Sequence, residues 1–221
     1  MQHNWNFASV FAYWDVLLIG LWGTVYIFAI TCVLGLGFGL VVGMMRYSKA
    51  WWISYPARVF VEVFRNTPVL VQIIWFFFAL PVVTGVEVSA FTAAALGITL
   101  NTIAFSAEVF RGGIQSIERE QWEAGKAIGM NYAQTMRRII LYQALKRMLP
   151  PLTSRGIEVF KMSTLASVVA YSETLHQAKL IASYEFNPIE AYTVVAIMFF
   201  LVLLPLVQLT YVLERRFGKS D

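Results

Sequence analysis

Charged residues are scarce in this chain. Only 14% of its 221 residues are Asp, Glu, Lys or Arg, whereas about 25% is usual for a soluble globular domain. Hydrophobic residues make up 58% of the chain, and the mean hydropathy is +0.64. Thirteen acidic and 17 basic side chains cannot supply a polar surface for a soluble domain of this size. The composition therefore excludes an ordinary soluble fold and indicates an integral membrane protein.

Residues that bind metals or form disulfides are equally few. Cys32 is the single cysteine, and His3 and His176 are the two histidines, so neither an intramolecular disulfide nor a transition-metal site is expected. The formal net charge of +4 does not indicate a nucleic-acid partner, because the bases lie between apolar blocks. Residues 1–15 contain no Lys or Arg and no small-residue cleavage site, so we expect no removable signal peptide.

Long uncharged stretches predict membrane-spanning helices. A helix needs about 20 residues to cross the hydrocarbon core of a bilayer. Four uncharged stretches reach that length, and they are residues 16–45, 66–86, 88–107 and 191–213. A fifth candidate, residues 148–172, is long enough but contains Arg155, Glu158 and Lys161. Length alone therefore leaves four or five spans open.

The distribution of Lys and Arg decides between them. Residues 46–65 contain four bases, residues 108–147 contain seven, and the tail contains Arg215, Arg216 and Lys219. The predicted outer segments, residues 1–15, 80–88 and 173–190, contain only Lys179. This alternation fits the enrichment of bases on the inner side only if residues 148–172 also cross. The sequence thus predicts one all-α transmembrane domain over residues 1–221, with five helices, the N-terminus outside and the C-terminus inside. Residues 108–147 form a cytoplasmic loop, and Glu214 belongs to the inner anchor.

Glycines in the first predicted span and a proline in the second affect how these helices pack and where they begin. Gly35, Gly39 and Gly43 share one helix face, which allows another helix to approach closely, although glycine is also simply common in membrane helices. Pro68 disfavours helical backbone at Thr67, so an inner-surface element is expected to end there and a new helix to begin.

The loop at 108–147 contains apolar residues at helical spacing and is expected to fold. Within it, Glu123, Ala124 and Gly125 are followed by Gly129 after three residues and by Ile139 after nine more. This pattern resembles the EAA signature of permease subunits in ATP-binding-cassette (ABC) importers. It departs from the signature in having Gly125 for the second alanine and Tyr142 for proline. We expect Glu123 near a helix start, where it complements the helix dipole, and a sharp turn at Gly129.

Two flanking blocks, residues 62–72 and 107–117, resemble those of the polar amino acid subfamily of these permeases, of the histidine, glutamine and glutamate-aspartate type. Residues 149–152 and 160–165 resemble further blocks, so the resemblance extends from about residue 62 to residue 165. The block residues that match are Arg65, Asn66, Thr67, Pro68, Glu108, Arg111 and Gly112.

The resemblance implies a type I ABC importer permease fold in a bacterial inner membrane. Two permeases, identical or homologous, would enclose the pathway, and an extracytoplasmic solute-binding protein would deliver a small polar amino acid. Two cytoplasmic ATPase subunits, which carry ATP and Mg²⁺, would dock on the segment containing Glu123, Ala124, Gly125 and Gly129. The chain lacks a G-x4-G-K-[ST] phosphate loop, so it is expected to bind no cofactor and to be a transport subunit rather than an enzyme.

Charged and polar groups at membrane depth are candidate substrate ligands. Arg155 can hold a carboxylate and Glu158 an ammonium group, which favours acidic or neutral polar amino acids over basic ones. In the alternative interpretation, Arg155, Glu158 and Lys161 form a structural ladder at i, i+3 spacing. Asn101 and Gln72 either bind substrate or, as we favour, join neighbouring helices.

Two other classes of function are compatible with five spans. A channel or secondary carrier would leave the folded loop unexplained, and the chain shows none of the inverted repeats common in carriers. A membrane enzyme would require convergent catalytic groups, and no such spacing is present in the sequence. The sequence therefore favours the ABC permease over both.

Overall fold

The computed structural model describes residues 5 to 217, and its regular structure in that range is helical throughout. His3 and Lys219 lie outside the described residues. The helices are α1 Phe7–Phe11, α2 Trp14–Tyr47, α3 Trp51–Asn66, α4 Val69–Ile74, α5 Leu80–Thr84, α6 Ala90–Gln115, α7 Arg119–Ala127, α8 Tyr132–Thr135, α9 Leu141–Met162, α10 Thr174–Glu185 and α11 Pro188–Phe217. A π-helical turn, Trp75–Ala79, joins α4 to α5, and a second, Met136–Ile140, joins α8 to α9. A 3₁₀ segment, Ser163–Val169, follows α9.

Three of these helices, α2, α6 and α11, are long and apolar enough to cross a membrane. The segments Trp51–Asn66 and Val69–Thr84 meet that test only as a pair, which is bent by 100°. Helix α9 is long enough but carries several charged residues. Within the described residues, hydropathy and length therefore support three or four spans, and the five-span topology stays a prediction.

Several predicted boundaries differ from the helix ends. Asn66 still belongs to α3, so the second predicted span begins at Val69 rather than at residue 66. Helix α6 continues to Gln115, and α9 begins at Leu141, so the predicted loop at 108–147 is helical at both ends. A charged side chain ends an uncharged stretch of sequence, but it does not end a helix whose long side chains extend into water.

The glycine face of α2 packs on α6. A Cβ atom on Gly35 would lie 2.4 Å from Thr102 Cγ2, and one on Gly39 would lie 2.6 Å from Ser106 Cβ. A Cβ on Gly43 would lie 2.8 Å from the carbonyl oxygen of Ala107. The predicted close helix approach is therefore confirmed, because only glycine fits at these three positions without displacing α6.

The bend at Pro68 divides α3 from α4. Thr67 is extended, with φ −95° and ψ 129°, and Pro68 follows with ψ 132°. The last carbonyl groups of α3 consequently need partners outside that helix. Gln72 Nε2 donates to the carbonyls of Phe64 and Thr67 at 3.0 and 2.8 Å, and Asn101 Nδ2 donates to that of Phe64 at 2.9 Å. Side chains from α4 and α6 thus hold the predicted break.

Candidate coupling helix and translocation site

Helix α7 carries the first part of the family signature and ends in a glycine turn. Gly129 has φ +80°, a conformation that side chains with a Cβ rarely adopt. Its N–H donates to the carbonyl of Lys126 at 2.9 Å, and the N–H of Met130 donates to that of Gly125 at 3.0 Å. These two bonds form a Schellman cap, which satisfies the last carbonyls of the helix. The predicted sharp turn at Gly129 is therefore confirmed.

The residues of α7 divide into three faces about 120° apart, as expected at about 100° per residue. The packed face consists of Gln121 and Gly125, and it contacts the segment from α8 to α9. The exposed face consists of Glu120, Ala124 and Ala127. The third, which we call the cavity face, lines a cleft below the end of α2 and contains Arg119, Trp122, Glu123 and Lys126.

Thr135 explains why glycine stands at position 125. Gly125 is buried, and a Cβ there would lie 2.6 Å from Thr135 Cγ2 and 2.7 Å from its Oγ1. The Thr135 hydroxyl donates to the carbonyl of Asn131 at 3.1 Å, which fixes its rotamer. The sequence alone did not indicate that residue 135 packs against the signature.

Glu123 does not lie near the start of α7, so the predicted interaction with the helix dipole was wrong. It is the fifth residue of the helix and forms an exposed ion pair with Arg119, whose Nε lies 2.9 Å from Glu123 Oε1. Glu120 is the acidic residue of the first turn. Helix α7 begins at Arg119, earlier than the signature, because Gln121 and Trp122 are packed against the rest of the loop.

Arg155 lies at the centre of a polar cluster between α6 and α9. Its Nη2 donates to Asn101 Oδ1 at 2.6 Å, and its Nη1 donates to Glu158 Oε2 at 2.8 Å. The guanidinium lies 4.4 Å from the ring centroid of Phe105, a favourable cation–π geometry. The Arg155 side chain is only 4% exposed, and its buried Nε has no hydrogen-bond partner within the described residues. One strong donor is thus left unused at the centre of the cluster.

The remaining substrate candidates are divided by the structure. Among the described residues Glu158 is paired with Arg155, whereas Lys161 is exposed. Of the two i, i+3 ion pairs in the alternative interpretation, only the one between Arg155 and Glu158 is present among the described residues. Gln72 lies at the Pro68 bend rather than beside Arg155. Asn101 connects the two places, because its amide binds Arg155 through oxygen and the carbonyl of Phe64 through nitrogen.

A cavity of about 440 Å³ opens beside Arg155. It offers one cation and two carboxylates within one cleft, which suits a zwitterion. Sequence reasoning assigned Glu214 to the inner anchor and overlooked Phe105. These residues are 59 and 50 positions from Arg155, and proximity across such distances has no signal in a single sequence. The lining residues are Phe105, Val109, Pro150, Pro151, Ser154, Arg155, Glu158 and Glu214.

Four charged residues from three helices form an ion cluster around Glu108. Arg111 Nη2 lies 2.9 Å from Glu108 Oε2, Arg46 from α2 contacts Oε1, and Arg65 Nη1 from α3 lies 3.8 Å from Oε2. These contacts join the C-terminal ends of α2, α3 and α6. The role of Arg46 was missed, since its sequence position suggested only a base of the inner membrane interface.

The other block residues lie near this cluster or at the Pro68 bend. Asn66 Nδ2 donates to Glu62 Oε2 at 2.9 Å, and the Thr67 hydroxyl donates to the carbonyl of Val63 at 2.8 Å. Gly112 is helical, and a Cβ there would meet no atom within 4 Å. These contacts give the block residues structural roles at the end of α3, whereas nothing in the structure explains glycine at position 112.

A buried acid outside the predicted spans was also overlooked. Glu173 caps α10, where its carboxylate accepts hydrogen bonds from the N–H groups of Leu175 and His176 at 2.8 and 2.7 Å. Thr24 from α2 packs beside it and bonds Thr174 at 2.7 Å. Burial raises the pKa of Glu173 from 4.5 to about 7, despite the hydrogen bonds that favour its charged form.

Apolar helices, a folded loop helix and a charged cavity between helices are features of a membrane transport subunit. Residues 35–219 match the family model described as "Binding-protein-dependent transport system inner membrane component". The chain is 34% identical over 199 residues to the probable amino-acid ABC transporter permease protein YckA of Bacillus subtilis, covering 90% of this chain and 88% of that protein. It is 35% identical over 217 residues to the glutamine transport system permease protein GlnP of Escherichia coli, covering 98% of each.

A solved structure described as an amino acid ABC transporter with histidines is also similar. Its TM-score is 0.91 at 31% identity, with coverage of 97% of this chain and 100% of that one. The chain belongs to the binding-protein-dependent transport system inner membrane component family and has the type I ABC importer permease fold. It is the permease component of an amino acid ABC importer in the inner membrane, and its relatives are permease subunits rather than enzymes. The family implies ATPase subunits, a second permease and a binding protein as partners.

Proposed function

We propose that this chain imports an acidic or neutral polar amino acid and that α7 couples it to two ATPase subunits. In this proposal five segments cross the membrane. They are residues 16–45, 66–86, 88–107, 148–172 and 191–213, and the helices that contain them begin and end at the residues given above. The N-terminus lies outside and the C-terminus inside, which places α7 in the cytoplasm. The pathway is completed by a second permease, identical or homologous, and ATP and Mg²⁺ are bound by the ATPase subunits.

The exposed face of α7 supports its role as the docking element. Ala124 and Ala127 are small and exposed there, so a cleft of an ATPase subunit can close over the C-terminal half of the helix, beyond Glu120. Ile128, 69% exposed at the end of the helix, adds an apolar contact. Glu123 lies at the border of this face, and Gly129 ends it.

The packed face supports transmission of ATPase movement to the pathway. Gly125 packs on Thr135, and Gln143 Nε2 donates to Gln121 Oε1 at 2.9 Å, so α7 is fixed to the start of α9. Helix α9 also carries Arg155. ATP binding would draw the ATPase subunits together, α7 would follow them, and α9 would reorient the cavity. Hydrolysis would then reset it.

The observation that carries the substrate assignment is the buried Arg155 with its unused Nε. The Nε has no accessible surface in this conformation, so a substrate carboxylate in the adjoining cavity would reach it only as α9 reorients, and Glu158 or Glu214 would then meet the α-ammonium group. A basic substrate would add a second cation beside the guanidinium, which is unfavourable at low dielectric. Because the cavity already holds two carboxylates, an acidic side chain fits only on the Arg155 side of the cavity, whereas a neutral polar side chain fits on either side.

The test is transport by the assembled importer in lipid vesicles, with its binding protein and a panel of acidic, neutral and basic amino acids. Losing a charge-assisted hydrogen bond costs about 1.5–3 kcal/mol, so Arg155→Gln should lower kcat/KM for transport roughly 10- to 100-fold. Arg138→Gln, which removes an exposed arginine upstream of α9, is the matched control. Unchanged rate and preference in Arg155→Gln would refute the substrate site, and amino acid flux without ATP would favour a carrier.

A further inference from the structure

A second, larger cavity adjoins the cavity face of α7, about 120° around the helix from its packed face. Its volume is about 810 Å³, and it separates α7 from the inner end of α2. Lys49, Arg119 and Lys126 contribute three cations to its lining, whereas Glu123 contributes one carboxylate. Arg119 is paired with Glu123 at 2.9 Å. In the described part of the chain the two lysines form no ion pair, so the cavity has an excess of positive charge.

The walls of this cavity combine aromatic and apolar surface with the charges. Trp122 and Tyr132 stack with ring centroids 5.4 Å apart, and both line the cleft. Tyr47 and Met44, from the last turn of α2, line the opposite wall. The cavity is therefore amphipathic, because its lining combines apolar and aromatic side chains with positively charged ones.

The position of the cavity relates it to the membrane surface. Met44 lies at the end of the first predicted span, and Trp51, Trp52 and Tyr55 follow Lys49 with exposures of 74, 66 and 59%. Exposed aromatic residues beside bases mark the interfacial region of a bilayer. The end of α2 and the cavity mouth therefore lie at headgroup depth, given the inside position of α7 in the proposed topology.

The cavity adjoins a different face of α7 from the exposed face assigned to the ATPase subunit. The cavity-facing residues are centred about 120° from Ala124, which lies on the exposed face. A partner seated on the exposed face leaves the cavity face toward α2 uncovered. Because the opening lies at headgroup depth beside exposed aromatic residues, a lipid headgroup can reach the uncovered cavity face.

We propose that this cavity binds the phosphodiester headgroup of an anionic phospholipid of the inner leaflet. This inference rests on the proposed topology. Lys49 and Lys126 hold the phosphate, and the stacked Trp122 and Tyr132 flank the glycerol backbone. Basic pockets beside transmembrane helices on the cytoplasmic side are known to bind such headgroups. The bound lipid ties α7 to the end of α2, so anionic lipid stabilises the coupling helix in its resting position.

The experiment is native mass spectrometry of the detergent-purified transporter titrated with short-chain phosphatidylglycerol or phosphatidylcholine. The double variant Lys49→Gln with Lys126→Gln should bind phosphatidylglycerol about 30-fold more weakly, from the usual contribution of two lysines near anionic lipid. Binding of phosphatidylcholine should not change. Arg137→Gln with Arg138→Gln removes the same charge from exposed positions outside the cavity and should leave both affinities unchanged.

Three outcomes would overturn the proposal. Equal loss in the two double variants would mean a diffuse basic surface rather than a site. Displacement of the lipid by millimolar glycerol phosphate would assign the cavity to a soluble phosphate compound. A photoreactive amino acid at Met44 that labels only the ATPase would make the cavity a protein contact. Accessibility of Lys49→Cys to an impermeant maleimide from outside, in a Cys32→Ser background, would instead refute the topology, and so separates the two failures.

Discussion

Replacing Gly39 by alanine tests the packing of α2 on α6, and Gly37 provides the matched control. Both glycines lie within the same helix, two residues apart. A Cβ at Gly39 would lie 2.6 Å from Ser106 Cβ, whereas a Cβ at Gly37 would meet no atom within 4 Å. Because Ser106 Cβ is bonded to the backbone, it cannot rotate away, and the two helices must separate.

The magnitude follows from the difference between these two variants. Each gains up to about 1 kcal/mol of helix propensity when glycine becomes alanine, and this gain cancels in the comparison. Overpacking a tight contact costs about 1–3 kcal/mol, and only Gly39→Ala incurs it. For a chain of this length, 1 kcal/mol shifts Tm by roughly 2–4 °C. Gly39→Ala should therefore melt about 2–12 °C below Gly37→Ala.

The assay is thermal unfolding of the two purified variants in the same detergent, followed by tryptophan fluorescence. Transport by both in lipid vesicles would report whether a small separation of α2 and α6 disturbs function. Equal Tm values for the two variants would refute the close contact between these helices as described. A lower Tm for Gly37→Ala would mean that the opposite face of α2 carries the contact.

Three further predictions concern the turn, the bend and the buried acid. Gly129→Val places a β-branched residue at φ +80° and should abolish stimulation of the ATPase by substrate and binding protein. Gly112→Ala is the control. Full stimulation in Gly129→Val would exclude a coupling role for the turn. Asn101→Ala removes a hydrogen-bond partner of Arg155 and of the Phe64 carbonyl and should reduce transport about tenfold at normal expression. Transport equal to that of the wild type would refute a role for this connection between Arg155 and the Pro68 bend. The pKa of Glu173 is raised from 4.5 to about 7, so protonation of this carboxyl group favours the folded state. Stability should therefore fall by roughly 3 kcal/mol as pH rises from about 4.5 to 7. Glu173→Gln should flatten this pH dependence in thermal unfolding, and an unchanged slope would assign the pH dependence to other groups.

The architecture near the bilayer follows from local sequence signals. The glycine spacing in α2, the proline at 68 and the glycine at 129 each impose a backbone constraint that involves only a few neighbouring residues. Such constraints are visible in one sequence because glycine and proline act through their own backbone geometry. Helix ends were predicted less well, because α6 and α9 extend past charged residues at the membrane surface.

The candidate sites depended on contacts between distant parts of the chain. Arg155 and Glu158 share one helix, so their pairing was predictable, but the approach of Phe105 and Glu214 was not. Likewise, the ion cluster joins Arg46 to Glu108 across 62 positions. Periodicity predicts which residues share a helix face, but it does not indicate which helices pack together.

The contact between Gly125 and Thr135 has a consequence for building chimeric permeases. A donor loop with alanine at position 125 cannot be grafted beside Thr135, because the added methyl group would overlap the threonine side chain. Grafts should therefore exchange residues 119–135 as one block, with both partners taken from the same parent. Chimeras cut between these two positions would misfold locally even though both parents share the signature, so recombination points belong after residue 135.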